Sequence, residues 1–298
     1  MTRPPRPEQG ARIVVNILFV GDIVGKPGRR ILAQVLPELR REWSVDLVIA
    51  NGENSAGGFG ITRETFEEIL ACGVDVVTGG NHTWQAREVF GLLDSDLRLL
   101  RPANYPPGTP GRGSGVFHPS KGRSGPMVAV LNLEGRVFME PLDSPFRVGW
   151  EQVEILRRET PVIVIDMHAE ATSEKAALAW YLDGRVSAVI GTHTHVQTAD
   201  GRILPNGTAF MTDVGMTGPR DSIIGMGREE VLQRFLTLLP ARFDVAKGPA
   251  QLNAVLLDID GETGRARAIE RISRTDASAV PVPPGVGEED SPRPPRKQ

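Results

Sequence analysis

Apolar, strand-like segments alternate with helix-like segments along most of this chain. Parallel strands need crossover connections long enough to hold a helix, so such an alternation implies an α/β fold with a largely parallel sheet and helices on its faces. Strands are read at 13–20, 46–50, 74–78, 127–133, 161–165, 186–190 and 208–212, from short β-branched runs bounded by glycine and polar residues. Helices are read at 28–43, after a cap at Thr62 and up to Gly73, and at 85–93, 150–159, 173–182 and 228–239, the last of them amphipathic. Pro37 falls inside the first and is expected to kink it. Segments 252–259 and 265–272 read as a closing hairpin. Residues 56–60 read as a glycine-rich loop, and 102–126 as an irregular excursion with a short strand at 115–118. The loop 214–227 either lines a substrate pocket or is an ordinary connection. One domain is expected over 12–275, between disordered tails at 1–11 and 276–298 that are rich in Pro and Arg.

The chemistry-bearing residues share one position in this pattern. Asp22, Glu53 with Asn54, Asn81 with His82, His168, and His193 with His195 each stand just past the end of an expected strand. In open α/β sheets that edge is where ligands bind, so parallel strands would gather residues far apart in the chain at one rim. If Gly191-Thr192-His193-Thr194-His195 stays extended, its two imidazoles point the same way. Each residue has a plainer reading alone: Asp22 as a helix cap, Asn51-Gly52 and Asn54 as a turn, His168 as a satisfied core histidine, the histidine pair as surface loop. All of those would have to hold together at one sheet edge. His118 has no matching partner and reads as surface, Cys72 as packing, and Arg29-Arg30 and Arg157-Arg158 as solvated helix faces.

Two carboxylates, two carboxamides and three imidazoles are too many ligands for one ion. They suit a pair of first-row divalent ions, Fe first, with Mn or Zn as alternatives. Glu53, with two oxygens and a full charge, is the candidate bridge. Two ions about 3.5–4 Å apart hold a hydroxide that attacks phosphorus in line and draw charge from the phosphoryl oxygens. The departing oxygen needs a proton, and His82, beside Asn81, is the candidate donor.

Composition narrows the alternatives. A net charge of −3, with no basic run interleaved with aromatics, argues against a dedicated nucleic-acid surface. The single cysteine, Cys72, excludes an internal disulfide and a thiolate zinc cluster. The first ten residues lack the apolar core of a signal peptide, and no apolar run is long enough to span a membrane. A cytoplasmic protein is expected, with a small phosphoester as partner and a homo-oligomer allowed.

Gly21-Asp22, Gly80-Asn81-His82, a separate His168 and Gly191-Thr192-His193-Thr194-His195 resemble the calcineurin-like metallophosphoesterase pattern. The fuller run resembles its YmdB-like bacterial branch: Gly21-Asp22-Ile23-Val24-Gly25, Asn51-Gly52-Glu53-Asn54, Gly79-Gly80-Asn81-His82-Thr83-Trp84 and Asp213-Val214-Gly215-Met216-Thr217-Gly218. The likeness spans about 13–272. Where the wider superfamily has Asp-x-His, this chain has Asp22-Ile23-Val24; Glu53 replaces a bridging Asp; Thr83 replaces the acid after Asn-His. All three are normal for the YmdB-like branch. The resemblance implies a four-layer α/β/β/α sandwich with two mixed sheets. It implies hydrolysis of 2′,3′-cyclic nucleotides at the 2′ oxygen by a metal-bridging hydroxide, with His82 as proton donor. It implies one ion on Asp22, Glu53, Asn54 and His195, and another on Glu53, Asn81, His168 and His193. The alternatives are a broad-specificity phosphatase or phosphodiesterase, and a metal-stabilised regulatory protein with residual activity.

Overall fold

The structure, a computed structural model, describes residues 13–119 and 126–276. Apart from Asp276, the two expected tails lie outside the described residues, as does 120–125 of the irregular excursion. In chain order the first half holds β1 (Val14–Val20), β2 (Asp22–Ile23), α1 (Gly25–Glu42), β3 (Leu47–Asn51), α2 (Arg63–Ala71), β4 (Val76–Thr78), α3 (Val89–Ser95), β5 (Leu99–Leu100), β6 (Ser114–Phe117) and β7 (Val128–Glu134). The second half holds α4 (Pro145–Leu156), β8 (Ile163–His168), α5 (Thr172–Tyr181), β9 (Ala188–Thr192), β10 (Arg202–Ile203), β11 (Ala209–Met211), β12 (Met216–Pro219), α6 (Arg228–Thr237), β13 (Ala250–Asp260) and β14 (Ala266–Thr275).

The strands form two mixed sheets. The first runs β2-β12-β13-β1-β3-β4-β5, with β14 on the other edge of β13. Its β1, β3, β4 and β5 are parallel, while β13 lies antiparallel to β1. The second runs β10-β11-β9-β8-β7-β6, parallel except for its two edge strands.

Side-chain alternation along these strands separates three apolar layers. Leu18, Val20, Val48 and Ala50 face α1 and α2. Val15, Ile17, Phe19, Leu47 and Ile49 meet Val130, Val164 and Ile190 between the sheets. Ile163, Ile165, Met167 and Val189 face α4 and α5. Helices, sheet, sheet and helices make the four-layer sandwich.

Several local expectations shift. Thr62 does cap α2, in a reciprocal pair with Thr65 (Thr65 N–H to Thr62 Oγ1 3.2 Å, Thr62 N–H to Thr65 Oγ1 3.0 Å). Helix α1 runs through Pro37, which sits on its exposed side. Helix α4 starts at Pro145, well before the expected 150, because proline suits the first helical turn. Helix α3 starts only at Val89; the residues after His82 are turns. The 214–227 loop contains β12. Helix α6 buries only Val231, leaving Leu232, Phe235 and Leu236 exposed, so its apolar residues are not laid on the core as an amphipathic pattern suggests.

Candidate active site

The layer between the sheets turns polar toward the carboxyl ends of the parallel strands. The faces that carry Ile49, Val76, Val130, Val164 and Ile190 continue, two residues on, with Asn51, Thr78, Asn132, Asp166 and Thr192. Asn132 and Asp166 are followed on the same faces by Glu134 and His168. Every one of these polar residues is buried. Burying so many polar groups together is costly unless they serve one another or a ligand.

The hydrogen bonds settle how each imidazole is used. Thr192 donates its hydroxyl proton to Asp166 Oδ1 (2.6 Å), so the 2.9 Å contact between His168 Nδ1 and Thr192 Oγ1 needs Nδ1 as donor. Asp166 itself accepts from Thr78 (2.5 Å) and Asn51 (3.1 Å), and so acts as a carboxylate anchor. His195 Nδ1 can only donate to the Ile224 carbonyl, 2.8 Å away. His193 Nε2 faces the Glu170 carboxylate at 3.2 Å. His168 and His195 therefore each spend one nitrogen as a donor to protein and turn the other inward, and His193 turns its Nδ1 inward toward His168. An outer partner that fixes the tautomer of an inward lone pair is the arrangement found behind metal-bound histidines.

The inward atoms converge. His168 Nε2 lies 3.1 Å from Glu53 Oε1, 2.9 Å from Asn81 Oδ1 and 3.1 Å from His193 Nδ1. One nitrogen with at most one proton cannot satisfy three acceptors, whereas a cation among them can. Ligand atoms of Glu53, His168 and His193 all lie within 4.8 Å of one another. Beside them, His195 Nε2 is 3.2 Å from Asn54 Nδ2 and 3.8 Å from Asp22 Oδ1, an oxygen that is buried without a hydrogen bond. Asn54 Nδ2 also meets Glu53 Oε1 (3.0 Å), so Glu53 stands between the two groups. The donor set of imidazole nitrogen, carboxylate and carboxamide oxygen fits first-row divalent ions.

Electrostatics agree with a site built for positive charge. Burial disfavours an imidazolium at His168, but Glu53, Asp22 and Asp166 outweigh it and raise the group to about 10. Burial raises a carboxyl, yet His168 and His82 draw Glu53 down to about 2. Burial lifts Asp22 to about 6 against the pull of His195 and His168, and burial with His168 pushes His193 down to about 3.

The backbone packs closely against these side chains at two glycines. A Cβ on Gly80 would collide with Glu53 Oε2 and the His168 ring, and one on Gly191 with the Thr212 carbonyl. The expected extended run at 191–195 is not what forms: β9 stops at Thr192, and His193 and His195 take φ of 98° and 66°. The rings converge through a left-handed turn, a strained conformation for such residues. Lys175, fully buried, holds that turn by donating to the Thr192 carbonyl (2.7 Å) and to Asp213 Oδ2 (2.8 Å). Asp213 accepts from the Thr194 N–H (3.0 Å) in return.

Asp22, Glu53, Asn54, Asn81, His168, His193 and His195 thus all reach one cluster. Asp22 opens the two-residue strand β2 and His168 ends β8, so these two lie in strands rather than just past them. His82 joins through its backbone N–H, which donates to Glu53 Oε2 (2.9 Å); its buried Nδ1 has no hydrogen bond, and burial lowers its pKa. His118 is exposed and Cys72 packs against the helix-side core, as expected. Sequence reasoning missed the supporting residues Asp166, Thr192, Lys175, Asp213 and Glu170. Asp166 had a signal, since it stands two residues before His168 in a strand and so shares its face. Replacing Thr192 with valine keeps the shape and cuts the Asp166–Thr192–His168 relay. Metal affinity is expected to fall about 10–100-fold, measured by titration calorimetry; unchanged affinity would exclude the relay from tuning the site.

Residues 18–272 match the model of a family described as YmdB-like protein. The chain belongs to that family. A relative from Bacillus subtilis strain 168, named a 2′,3′-cyclic-nucleotide 2′-phosphodiesterase, is 51% identical over 262 residues, covering 88% of this chain and 98% of the relative. Two solved structures share the YmdB-like architecture. One, a hypothetical protein from Thermus thermophilus, has a TM-score of 0.82 at 45% identity, over 88% of this chain and all (100%) of its own. The other, a phosphatase from Mycoplasma pneumoniae, has a TM-score of 0.83 at 36% identity, over 89% of this chain and 95% of its own.

Proposed function

We propose that this protein is a cytoplasmic phosphodiesterase that opens 2′,3′-cyclic nucleotides at the 2′ oxygen and leaves a 3′-phosphate, using two divalent ions and His82. The broader class, a phosphoric ester hydrolase, follows from the family and from the phosphodiesterase and phosphatase among its relatives. The observation that carries the reading is the set of three imidazoles whose inward nitrogens converge with Glu53, Asp22 and Asn81, two of the rings donating their other nitrogen to protein.

Asp22, Glu53, Asn54 and His195 would hold one ion, and Glu53, Asn81, His168 and His193 the other, with Fe first and Mn or Zn also suited to these donors. When bound, such a pair supplies a deprotonated water at neutral pH and neutralises charge on the phosphoryl oxygens. The chain's own residues do the rest. Glu53 stands between the two ligand groups, and its Oε2 accepts from the His82 N–H. That contact keeps the His82 ring beside the cluster without spending it as a ligand, and the ring gives its proton to the departing 2′ oxygen. Substrate identity rests on the Bacillus subtilis relative.

Purified protein is expected to carry about two equivalents of metal per chain. It should turn over 2′,3′-cyclic AMP faster than 3′,5′-cyclic AMP or p-nitrophenyl phosphate and release 3′-AMP. Equal rates on all three would favour a broad-specificity phosphoesterase, and release of 2′-AMP would overturn the assignment of the cleaved bond.

A further inference from the structure

Phe59 is an aromatic side chain left 40% exposed in the glycine-rich loop that follows the Glu53-Asn54 turn. Its ring stands edge-on to His82, with centroids 5.0 Å apart and planes at 75°. The loop presents it rigidly. The Ala56 N–H donates to the Gly60 carbonyl (2.9 Å) and the Phe59 N–H to the Ala56 carbonyl (3.3 Å). Gly58 lies against Val245 and Met226, and Gly60 against Gln85, too close in both cases for a side chain. Gly57, by contrast, borders open space, with nothing within 4 Å of where a Cβ would stand. An exposed phenyl ring costs solvation, and here it is fixed within contact of the proposed proton donor rather than folded inward.

The chemistry of the substrate says what belongs there. In a 2′,3′-cyclic nucleotide the base is carried on C1′, bonded directly to C2′, whose oxygen departs. The base and the 2′ oxygen stand on neighbouring carbons, on opposite faces of the ribose, so the group that protonates that oxygen lies at the C1′–C2′ end of the sugar, and a ring packed against that group can reach past that end to the base. We propose that Phe59 is the shelf on which the nucleobase of the substrate stacks. The inference rests on the reading of His82 as donor to the 2′ oxygen. Stacking uses the π-face that every base has, so the shelf accepts all four nucleotides and favours purines for their larger face.

The test compares 2′,3′-cyclic AMP with the 2′,3′-cyclic phosphate of methyl riboside, which has no base. The readout is the ratio of the two kcat/KM values. In Phe59→Ala that ratio is expected to drop about ten-fold, through KM for the nucleotide, and to recover in Phe59→Trp. A merely structural role would slow both substrates alike and leave the ratio unmoved, which would overturn the shelf while the phosphodiesterase reading stands. If the unaltered protein hydrolyses neither cyclic ester, the phosphodiesterase reading fails first and the shelf falls with it.

Discussion

His82→Ala should cut kcat on 2′,3′-cyclic AMP by about two to four orders of magnitude and leave the metal content as it was. The two halves of that expectation have separate causes. What His82 gives Glu53 is its backbone N–H, at 2.9 Å, and alanine keeps that bond. In the proposed role the side chain would give a proton to a poor leaving group. The effect must then depend on the leaving group. Bis(p-nitrophenyl) phosphate releases a phenolate that needs no proton, so its hydrolysis should fall far less. An equal fall on both esters would remove His82 from the proton-donor role and make it a positioning residue. Elemental analysis of the variant guards against the trivial cause, loss of metal.

Lys175→Met should lower stability by roughly 3–5 kcal/mol, because it leaves the Asp213 carboxylate in the interior without its counter-charge. At about 2–4 °C per kcal/mol for a domain of this size, the melting temperature falls by about 6–20 °C. The double variant Lys175→Met, Asp213→Asn removes both charges and should recover much of that loss. It should not recover metal affinity, because the left-handed turn at His193 and His195 loses the clamp on the Thr192 carbonyl. Thermal melts and metal titrations of the two variants separate these effects. A melting temperature unchanged by Lys175→Met would show that the pair contributes nothing.

The site was more legible than the frame that holds it. Asp22, Glu53, Asn81, His168 and the histidine pair announce themselves as polar residues where strands stop, and a period of two places Asp166 behind His168. The split into two sheets had no such local sign. Strand β13 returns from the far end of the chain to lie antiparallel to β1, pairing Val14 with Asp260 and Val20 with Ala254. Alternation predicts that a strand exists, not which distant strand it joins. The left-handed turn at 193–195 was illegible for a related reason: neither histidine favours positive φ, and the residues that impose it, Lys175 and Asp213, lie well away in sequence. The tautomer of His195 likewise depends on the Ile224 carbonyl, a partner that carries no motif.

Asp22, Glu53, Asn54 and Asn81 come from the first sheet and its loops, whereas His168, His193 and His195 come from the second. Neither proposed ion is served by one sheet alone. A chain cut between the two halves would leave each fragment with a broken set of the proposed ligands. The same division would make a bound metal a rivet: the proposed ligand sets are complete only when both sheets have met in register, so metal removal is expected to loosen the seam between them before it loosens either sheet.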